Sequence, residues 1–200
     1  VDTDNPDMRI QVYVNNALCV VSIDSSGEPL FKRGYRRGGG EAPLNESLAA
    51  GLILLSGWNK EDIFIDPMCG SGTFSIEAAM IAKNTAPGLL RKEFGFSRWP
   101  GFDPGLEKLA REEAMDIQTP IRGRFIASDV NVKVLDVARK NIMEAGLMGQ
   151  IQLGRAEFFS YFPPSQPGFV ILNPPYGHRI RQDNMPDFYK KLGDFLKQHY

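Results

Sequence analysis

The sequence of 200 residues has few cysteines, few histidines and no long apolar run. Cys19 and Cys69 are too few and too far apart for a disulfide framework or a zinc site, which favours a reducing, cytoplasmic setting. His178 and His199 are isolated from each other in the sequence, so no metal site is predicted. No segment resembles a membrane span or a signal peptide, and we expect no membrane partner. The formal net charge of -1 also gives no sign of a polycationic nucleic-acid binder.

Short apolar segments alternate with helical patterns along most of the chain, and the hydrophobic content of 42% is enough for a real core. This alternation predicts an α/β fold with a doubly wound, parallel, Rossmann-like sheet. The predicted strands of this sheet are 63–65, 125–129, 151–153 and 169–172. The predicted helices are 43–55, about 72–83, 104 to about 115, 131–145 and 186–199.

The first part of the chain has a different pattern. Residues 8–14 and 17–24 alternate loosely, and Asn15-Asn16 lies between them. Because asparagine tolerates a positive φ angle, this pattern predicts a tight β-hairpin. We expect residues 1–40 to form a hairpin and linker, and residues 41–200 to form the α/β domain.

Two helices have patterns that predict which face is buried. In the helix 43–55, Pro43 suits the first turn, and a stripe of four leucines repeats at helical spacing. The stripe consists of Leu44, Leu48, Leu52 and Leu55. In the helix 131–145, the predicted inward residues are Val134, Leu135, Val137, Ala138, Ile142 and Met143.

Two other segments leave alternatives open. Residues 31–40 carry four basic residues among aromatic residues and glycines, which suits either a phosphate-binding loop or a solvated, mobile one. Residues 84–103 are irregular and aromatic, and they suit either a loop over a site or a small satellite core.

Two motifs carry the chemistry of the chain. The first, Asp66-Pro-Met-Cys-Gly-Ser-Gly-Thr, joins a predicted strand to a helix whose amides would face a ligand. The second, Asn173-Pro-Pro-Tyr-Gly, follows another predicted strand. Parallel strands bring such ends into one crevice. A dinucleotide site is disfavoured, because Ser75 stands where that pattern requires glycine.

Together the motifs resemble those of S-adenosylmethionine-dependent amino-methyltransferases. Three further segments narrow the resemblance: Arg33-Gly-Tyr-Arg, Ala42-Pro-Leu-Asn-Glu-Ser-Leu-Ala-Ala and Ala86-Pro-Gly. With them, residues 8–200 resemble the THUMP-associated RNA methyltransferases, above all the bacterial large-subunit ribosomal RNA guanine-N2 methyltransferases. The resemblance implies a class I methyltransferase sheet, truncated here after its fourth strand. It also implies an RNA-binding THUMP domain upstream, so we expect this chain to be a piece of a longer protein.

The resemblance also implies a cofactor site for S-adenosylmethionine. Asp129 suits the ribose hydroxyls, since a carboxylate can accept two hydrogen bonds, although it could instead only cap the next helix. Glu157 would accept from the adenine amine, or be an exposed loop acid, and Asp66 would lie near the methionine ammonium. Cys69 is interpreted as a small turn residue. The full predicted cofactor site is Asn45, Glu46, Asp66, Met68, Gly70, Ser71, Gly72, Thr73, Asp129 and Glu157.

The second motif predicts a catalytic site made of Asn173, Pro174, Pro175 and Tyr176. An exocyclic base amine is a poor nucleophile, because its lone pair is delocalised into the ring. The Asn173 side-chain oxygen and the Pro174 carbonyl could accept its two hydrogens and free the lone pair. The prolines would stiffen the loop, and Tyr176 could stack on an extruded base.

These residues predict methylation of an exocyclic base amine in RNA, with guanine N2 of 23S ribosomal RNA as the favoured target. Adenine N6, tRNA guanine N2 and a glutamine amide are alternatives, because the second motif is shared among such enzymes. An alternative from another class is a non-catalytic RNA-binding module that retains a cofactor pocket.

Overall fold

The computed structural model describes residues 6–36, 44–160, 167–174 and 185–199. In these ranges the strands are β1 (Arg9–Asn15), β2 (Leu18–Asp24), β3 (Ile63–Asp66), β4 (Phe125–Asp129), β5 (Ile151–Arg155) and β6 (Gly168–Val170). The α-helices are α1 (Glu46–Leu55), α2 (Thr73–Ala82), α3 (Pro104–Asp116), α4 (Val132–Glu144) and α5 (Met185–His199). In the same ranges, none of the helices combines the length and the apolar character that crossing a membrane requires.

The main sheet is parallel and has the strand order β5-β4-β3-β6. β3 is a central strand, and all four of its residues are buried, as expected for a short apolar strand covered on both faces. The predicted α/β fold is therefore confirmed. β5 extends two residues beyond its predicted end, and β6 begins one residue earlier than predicted and ends two residues earlier.

The asparagine and aspartate signals correctly predict the hairpin turn and the starts of α3 and α4, whereas α1 begins at Glu46 and not in the turn predicted at Pro43. Asn16 has a φ of 51° in the β1–β2 turn, as the hairpin prediction requires. The Asn131 side chain accepts from the Lys133 N–H and caps α4, and the Asp103 side chain caps α3 ahead of Pro104. These contacts involve only neighbouring residues, so the sequence alone is enough to reveal them.

Aromatic side chains form the part of the core that packs against β3 and β4. Phe64 and Phe125 are fully buried, and Trp58 packs edge-on against Phe64 with 5.0 Å between ring centroids. Phe169 stacks on the other side of Phe64 at 5.7 Å. Burial of each such side chain contributes about 1.5–3 kcal/mol. α2 covers this core, and every residue of α2 except Ile81 is buried.

The predicted leucine stripe of α1 is wrong. The helix begins at Glu46, and its buried residues are Glu46, Ala49 and Ile53. Leu48, Leu52 and Leu55 are 54%, 43% and 87% exposed. Because apolar residues surround most of this helix, their spacing could not identify the face that packs on α2.

The inward face of α4 is mostly as predicted. Leu135, Ala138 and Ile142 are buried, and Val134 and Val137 are half-buried. Met143 is the exception, because it lies 56% exposed on the solvent side of the helix.

The aromatic rings of residues 84–103 pack against one another and are half-buried, and the alternative of a loop over a site stays a prediction. Phe94 stacks on Phe96 with ring centroids 5.2 Å apart, and Phe96 contacts Phe102 at 6.0 Å. With α3 these rings line an apolar cavity of about 480 Å³. The Arg91 guanidinium ties this segment to the turn after β2, where it donates to the carbonyls of Ser26, Glu28, Pro29 and Lys32.

The β1–β2 hairpin forms a separate two-stranded sheet with one apolar face. Cross-strand pairs on this face are Ile10 with Ile23, Val12 with Val21 and Val14 with Cys19. All of these residues are exposed.

Candidate functional site

The carboxyl ends of three adjacent strands bring the predicted site residues to one edge of the sheet. Asp66 ends β3 and Asp129 ends β4, and the two strands are parallel neighbours. On the other side of β3, the Ile171 N–H donates to the Ile65 carbonyl at 3.0 Å, which carries the pairing beyond β6 toward Asn173. Polar groups from both motifs therefore lie on neighbouring strands.

The turn between β3 and α2 is bonded to the end of β4. The Cys69 N–H donates to the Ser128 carbonyl at 2.9 Å, and the Gly70 N–H donates to Asp129 Oδ2 at 3.0 Å. Gly70 and Gly72 have φ angles of 54° and 84°, in the left-handed region that favours glycine. A side chain at Gly70 would project into open space, so the turn leaves room beside it.

The Asp129 carboxylate accepts two backbone hydrogen bonds. Oδ2 accepts from the Gly70 N–H, and Oδ1 accepts from the Asn131 N–H at 2.9 Å. The cap of α4 is Asn131, so Asp129 is not itself the capping residue. Each carboxylate oxygen has a second acceptor position, and Asp129 is half-buried rather than enclosed.

Asp66 is buried, with only 1% of its surface exposed. Its Oδ2 accepts from the Ser75 hydroxyl at 2.9 Å, whereas Oδ1 has no hydrogen-bond partner within the described residues. Burial, opposed by the hydrogen bonds to Ser75 and aided by the Asp129 carboxylate, raises the pKa of Asp66 to about 7.

Cys69 behaves as the predicted turn residue. It is buried, and burial, with the nearby carboxyl groups of Asp66 and Asp129, raises the pKa of its thiol. The thiol therefore stays protonated and is a poor nucleophile. Met68 and Ser71 are half-buried in the same turn, and the Ser71 carbonyl accepts from the Asn141 side chain at 3.0 Å.

Asn45 and Glu46 are engaged by the protein itself. The Asn45 side chain caps α1 by accepting from the Leu48 N–H at 3.1 Å. Glu46 is buried and accepts from Arg36 Nε at 2.8 Å. Both residues line a cavity of about 670 Å³.

Glu157 follows β5 and is exposed. The Ala156 N–H donates to the Asp129 carbonyl at 3.2 Å, so this segment lies beside the end of β4. Asn173 and Pro174 are half-buried after β6. Pro175 and Tyr176 lie outside the described residues.

The described basic residues of segment 31–40 differ in environment: Lys32 is exposed, whereas Arg33 and Arg36 are paired with acids. Arg33 is buried, with its Nη2 3.6 Å from Glu77 Oε2, and Arg36 is half-buried against Glu46. These two side chains therefore form ion pairs within the protein and are not the free side chains of a solvated loop. No pattern in the sequence indicates that Arg36 bonds to Ser71 and Thr73 beside the glycine turn, although the Arg33–Arg36 motif carries part of the family resemblance.

Within the four described ranges, no group of three or more histidine, cysteine, aspartate or glutamate residues could hold a metal ion. The polar groups at the edge of the sheet are instead carboxylates, amides, hydroxyls and left-handed glycines. Such groups suit an organic ligand with hydroxyl and ammonium groups.

Comparison with known proteins agrees with this geometry. Residues 33–200 match the family described as UPF0020, RMKL-like, methyltransferase domain. The chain is 39% identical to "Putative RNA methyltransferase slr0064" of Synechocystis, over 100% of this chain and 53% of that protein. It is 40% identical to "Ribosomal RNA large subunit methyltransferase K/L" of Allochromatium vinosum, over 100% of this chain and 29% of that protein. The chain thus spans about half of the first relative and under a third of the second.

Solved structures resemble the fold closely. "SMU.472, a putative methyltransferase complexed with SAH" superposes with a TM-score of 0.87 at 37% identity, over 98% of this chain and 52% of that one. A "predicted N6-adenine-specific DNA methylase" from Listeria monocytogenes superposes with a TM-score of 0.86 at 35% identity, over 96% of this chain and 50% of that one. The fold is that of the class I methyltransferases, and the chain belongs to the RMKL-like methyltransferase domain family.

Proposed function

We propose that the domain binds S-adenosylmethionine and methylates an exocyclic base amine in RNA, with guanine N2 of 23S ribosomal RNA as the preferred target. The observation that carries the proposal is the adjacency of β3 and β6. β3 ends in Asp66 and the glycine turn, and β6 leads to Asn173. A cofactor turn and an amine-binding motif on neighbouring parallel strands can hold the two reactants in one crevice.

The cofactor would be held at three strand ends. Asp129 would bind the ribose hydroxyls and Glu157 the adenine amine, while Asp66 would face the methionine ammonium. The position of Asp66 at the end of β3, directly before the glycine turn, supports this assignment. The open space beside Gly70 supports close approach of the ligand to the turn. When bound, S-adenosylmethionine supplies an electrophilic methyl group on a sulfonium.

The residues after β6 would orient the nucleophile. The Asn173 side-chain oxygen and the Pro174 carbonyl would accept the two amine hydrogens and turn the nitrogen lone pair toward the methyl group. With the lone pair oriented in this way, bound S-adenosylmethionine would supply its methyl group to the nitrogen and would be left as the neutral thioether. The methylated nitrogen loses one proton to an acceptor or to water. No strong base is needed, because the amine becomes acidic once it is methylated.

The substrate class rests on relatives. The Synechocystis protein is named as an RNA methyltransferase and the Allochromatium protein as a ribosomal RNA methyltransferase, which supports RNA here. The Listeria structure, named as a predicted N6-adenine-specific DNA methylase, makes adenine N6 the second candidate. Both candidates use the same amine chemistry, so they differ only in the base that the crevice accepts.

One labelling experiment tests the proposal. The complete natural protein is incubated with methyl-labelled cofactor and unmodified 23S ribosomal RNA, and the RNA is digested to nucleosides. We expect label in N2-methylguanosine. Label in N6-methyladenosine would replace guanine by adenine as the target. If the protein bound cofactor but transferred no label to ribosomal RNA, tRNA, DNA or a glutamine peptide, it would be a non-catalytic binding module.

A further inference from the structure

Arg36 connects the glycine turn to the start of α1. Its Nε donates to Glu46 Oε1 at 2.8 Å, and its Nη2 donates to the Leu44 carbonyl at 2.9 Å. The same guanidinium reaches the turn, donating to Thr73 Oγ1 at 3.1 Å and to Ser71 Oγ at 3.3 Å. One side chain therefore bonds to both residues that flank Gly72.

The segment that carries Arg36 is itself fixed by buried contacts. Gly34 has a φ of 110°, and a Cβ at this position would lie 2.3 Å from the Leu90 carbonyl oxygen. The Tyr35 hydroxyl donates to Glu77 Oε1 at 3.0 Å, and Tyr35 is 1% exposed. These contacts fix the backbone on the N-terminal side of Arg36, and the Tyr35–Glu77 bond ties it to α2, the helix that begins at Thr73. The turn is held to Arg36.

Only arginine can make this set of bonds. The four acceptors are reached from three separate nitrogen atoms in one plane, whereas lysine offers a single nitrogen. Glu46 is 3% exposed, so loss of Arg36 would also leave a buried carboxylate without its cation. The hydroxyls of Ser71 and Thr73 would lose their fixed partner at the same time.

We propose that Arg36 is a positioning residue for cofactor binding: it holds Ser71 and Thr73, and with them the glycine turn, in the geometry that accepts S-adenosylmethionine. This inference rests on the proposed function, because it assigns the turn to the cofactor. Arg36 acts through the turn and through Glu46, and it does not need to contact the cofactor. Its effect is therefore expected first in cofactor affinity and in the KM for the cofactor, and less in kcat.

The test compares five variants of the complete protein. Arg36→Met removes every bond, and Arg36→Lys keeps a cation for Glu46. Arg36→Met/Glu46→Gln removes the buried unpaired charge as well, and its affinity is compared with that of Glu46→Gln alone, because Glu46 is itself a predicted cofactor residue. Arg111→Met is the matched control, because Arg111 is of similar exposure (26% against 20%) and also bonds an acid, while its other acceptors are two carbonyls away from the turn.

S-adenosylhomocysteine affinity is measured by calorimetry, stability by urea unfolding, and KM and kcat by methyl transfer. We expect at least a 10-fold loss of affinity in Arg36→Met and in Arg36→Lys relative to the wild type, and in the double variant relative to Glu46→Gln, even though the double variant regains stability. Arg111→Met should lose stability and keep its affinity. A double variant with the affinity of Glu46→Gln would overturn the positioning role. A wild-type protein that did not bind S-adenosylhomocysteine would overturn the proposed function itself.

Discussion

Asp66 makes the stability of the ligand-free domain fall as the pH rises. Its pKa is raised from 3.8 to about 7 by burial, so the folded state keeps the proton up to about pH 7. An unfolded chain releases this proton near pH 4. The stabilisation is therefore complete below pH 4 and is lost as the pH rises through 7.

The size of this effect follows from the shift in pKa. The pKa of Asp66 differs by about 3 between the folded and unfolded states. This lowers the free energy of unfolding by about 4 kcal/mol from pH 4 to pH 8, and about 2.5 kcal/mol of this loss falls between pH 5 and pH 8. Asp66→Asn replaces the carboxyl group by a neutral group of the same shape, so the variant should lack this part of the pH dependence. The variant should have a higher free energy of unfolding than the wild type at pH 8, and this difference should become smaller toward pH 5.

Urea unfolding of the ligand-free protein and of Asp66→Asn at several pH values measures the difference. Other groups, including Glu77 with its raised pKa, are common to both proteins and cancel in the comparison. Parallel stability curves from pH 5 to pH 8 would refute the assignment of a raised pKa to Asp66. The site would then be more hydrated than its burial indicates.

Three further substitutions test the site and the fold. Asp129→Ala should weaken S-adenosylhomocysteine binding by about 1.5–3 kcal/mol in calorimetry, because it removes a charged acceptor. Asn173→Ala should slow single-turnover methyl transfer by roughly two to three orders of magnitude with little change in cofactor affinity, and Asn173→Asp should retain more activity. Gly34→Ala should lower the free energy of unfolding by at least about 2 kcal/mol, because of its positive φ and its clash with the Leu90 carbonyl.

Each substitution has its own control and its own contrary outcome. Asp136→Ala, on the exposed side of α4, should leave cofactor affinity unchanged, and unchanged affinity in Asp129→Ala would remove Asp129 from the site. Wild-type turnover in Asn173→Ala would contradict the amine-orienting role. Gly51→Ala, in open space within α1, should be neutral or stabilising, so equal effects at Gly34 and Gly51 would argue against a specific clash.

The parts of the fold that sequence could predict are those fixed by near neighbours or by a continuous pattern. Asn16 forms a turn and Asn131 caps a helix through residues next to them in the sequence. The strand that ends in Asp66 is identified by its continuous apolar residues. Parallel pairing then brings Asp66, Asp129 and the residues after β6 to one edge, because all strands of such a sheet end on the same side.

The errors arise where a choice depends on distant residues. The stripe of α1 was assigned to the wrong face because the helix is apolar nearly all round, and only the position of α2 selects Ala49 and Ile53. Arg33 and Arg36 could not be distinguished from phosphate ligands, since their partners Glu77 and Glu46 are separated from them in the sequence. Charge alone does not tell whether an arginine faces solvent, a ligand or a buried acid.

The central position of β3 has a consequence for how the domain folds. Phe64 pairs with Phe125 and Ile63 pairs with Gly168, separations of 61 and 105 residues. Contacts this distant form slowly, because a long loop must close before they stabilise anything. The ribosome adds about 5–20 residues per second, so roughly 5–20 seconds pass between the synthesis of β3 and the synthesis of its partner β6. Throughout that time β3 has an unpaired apolar edge, so we expect the strand that ends in Asp66 to be the segment most exposed to mispairing in the nascent chain.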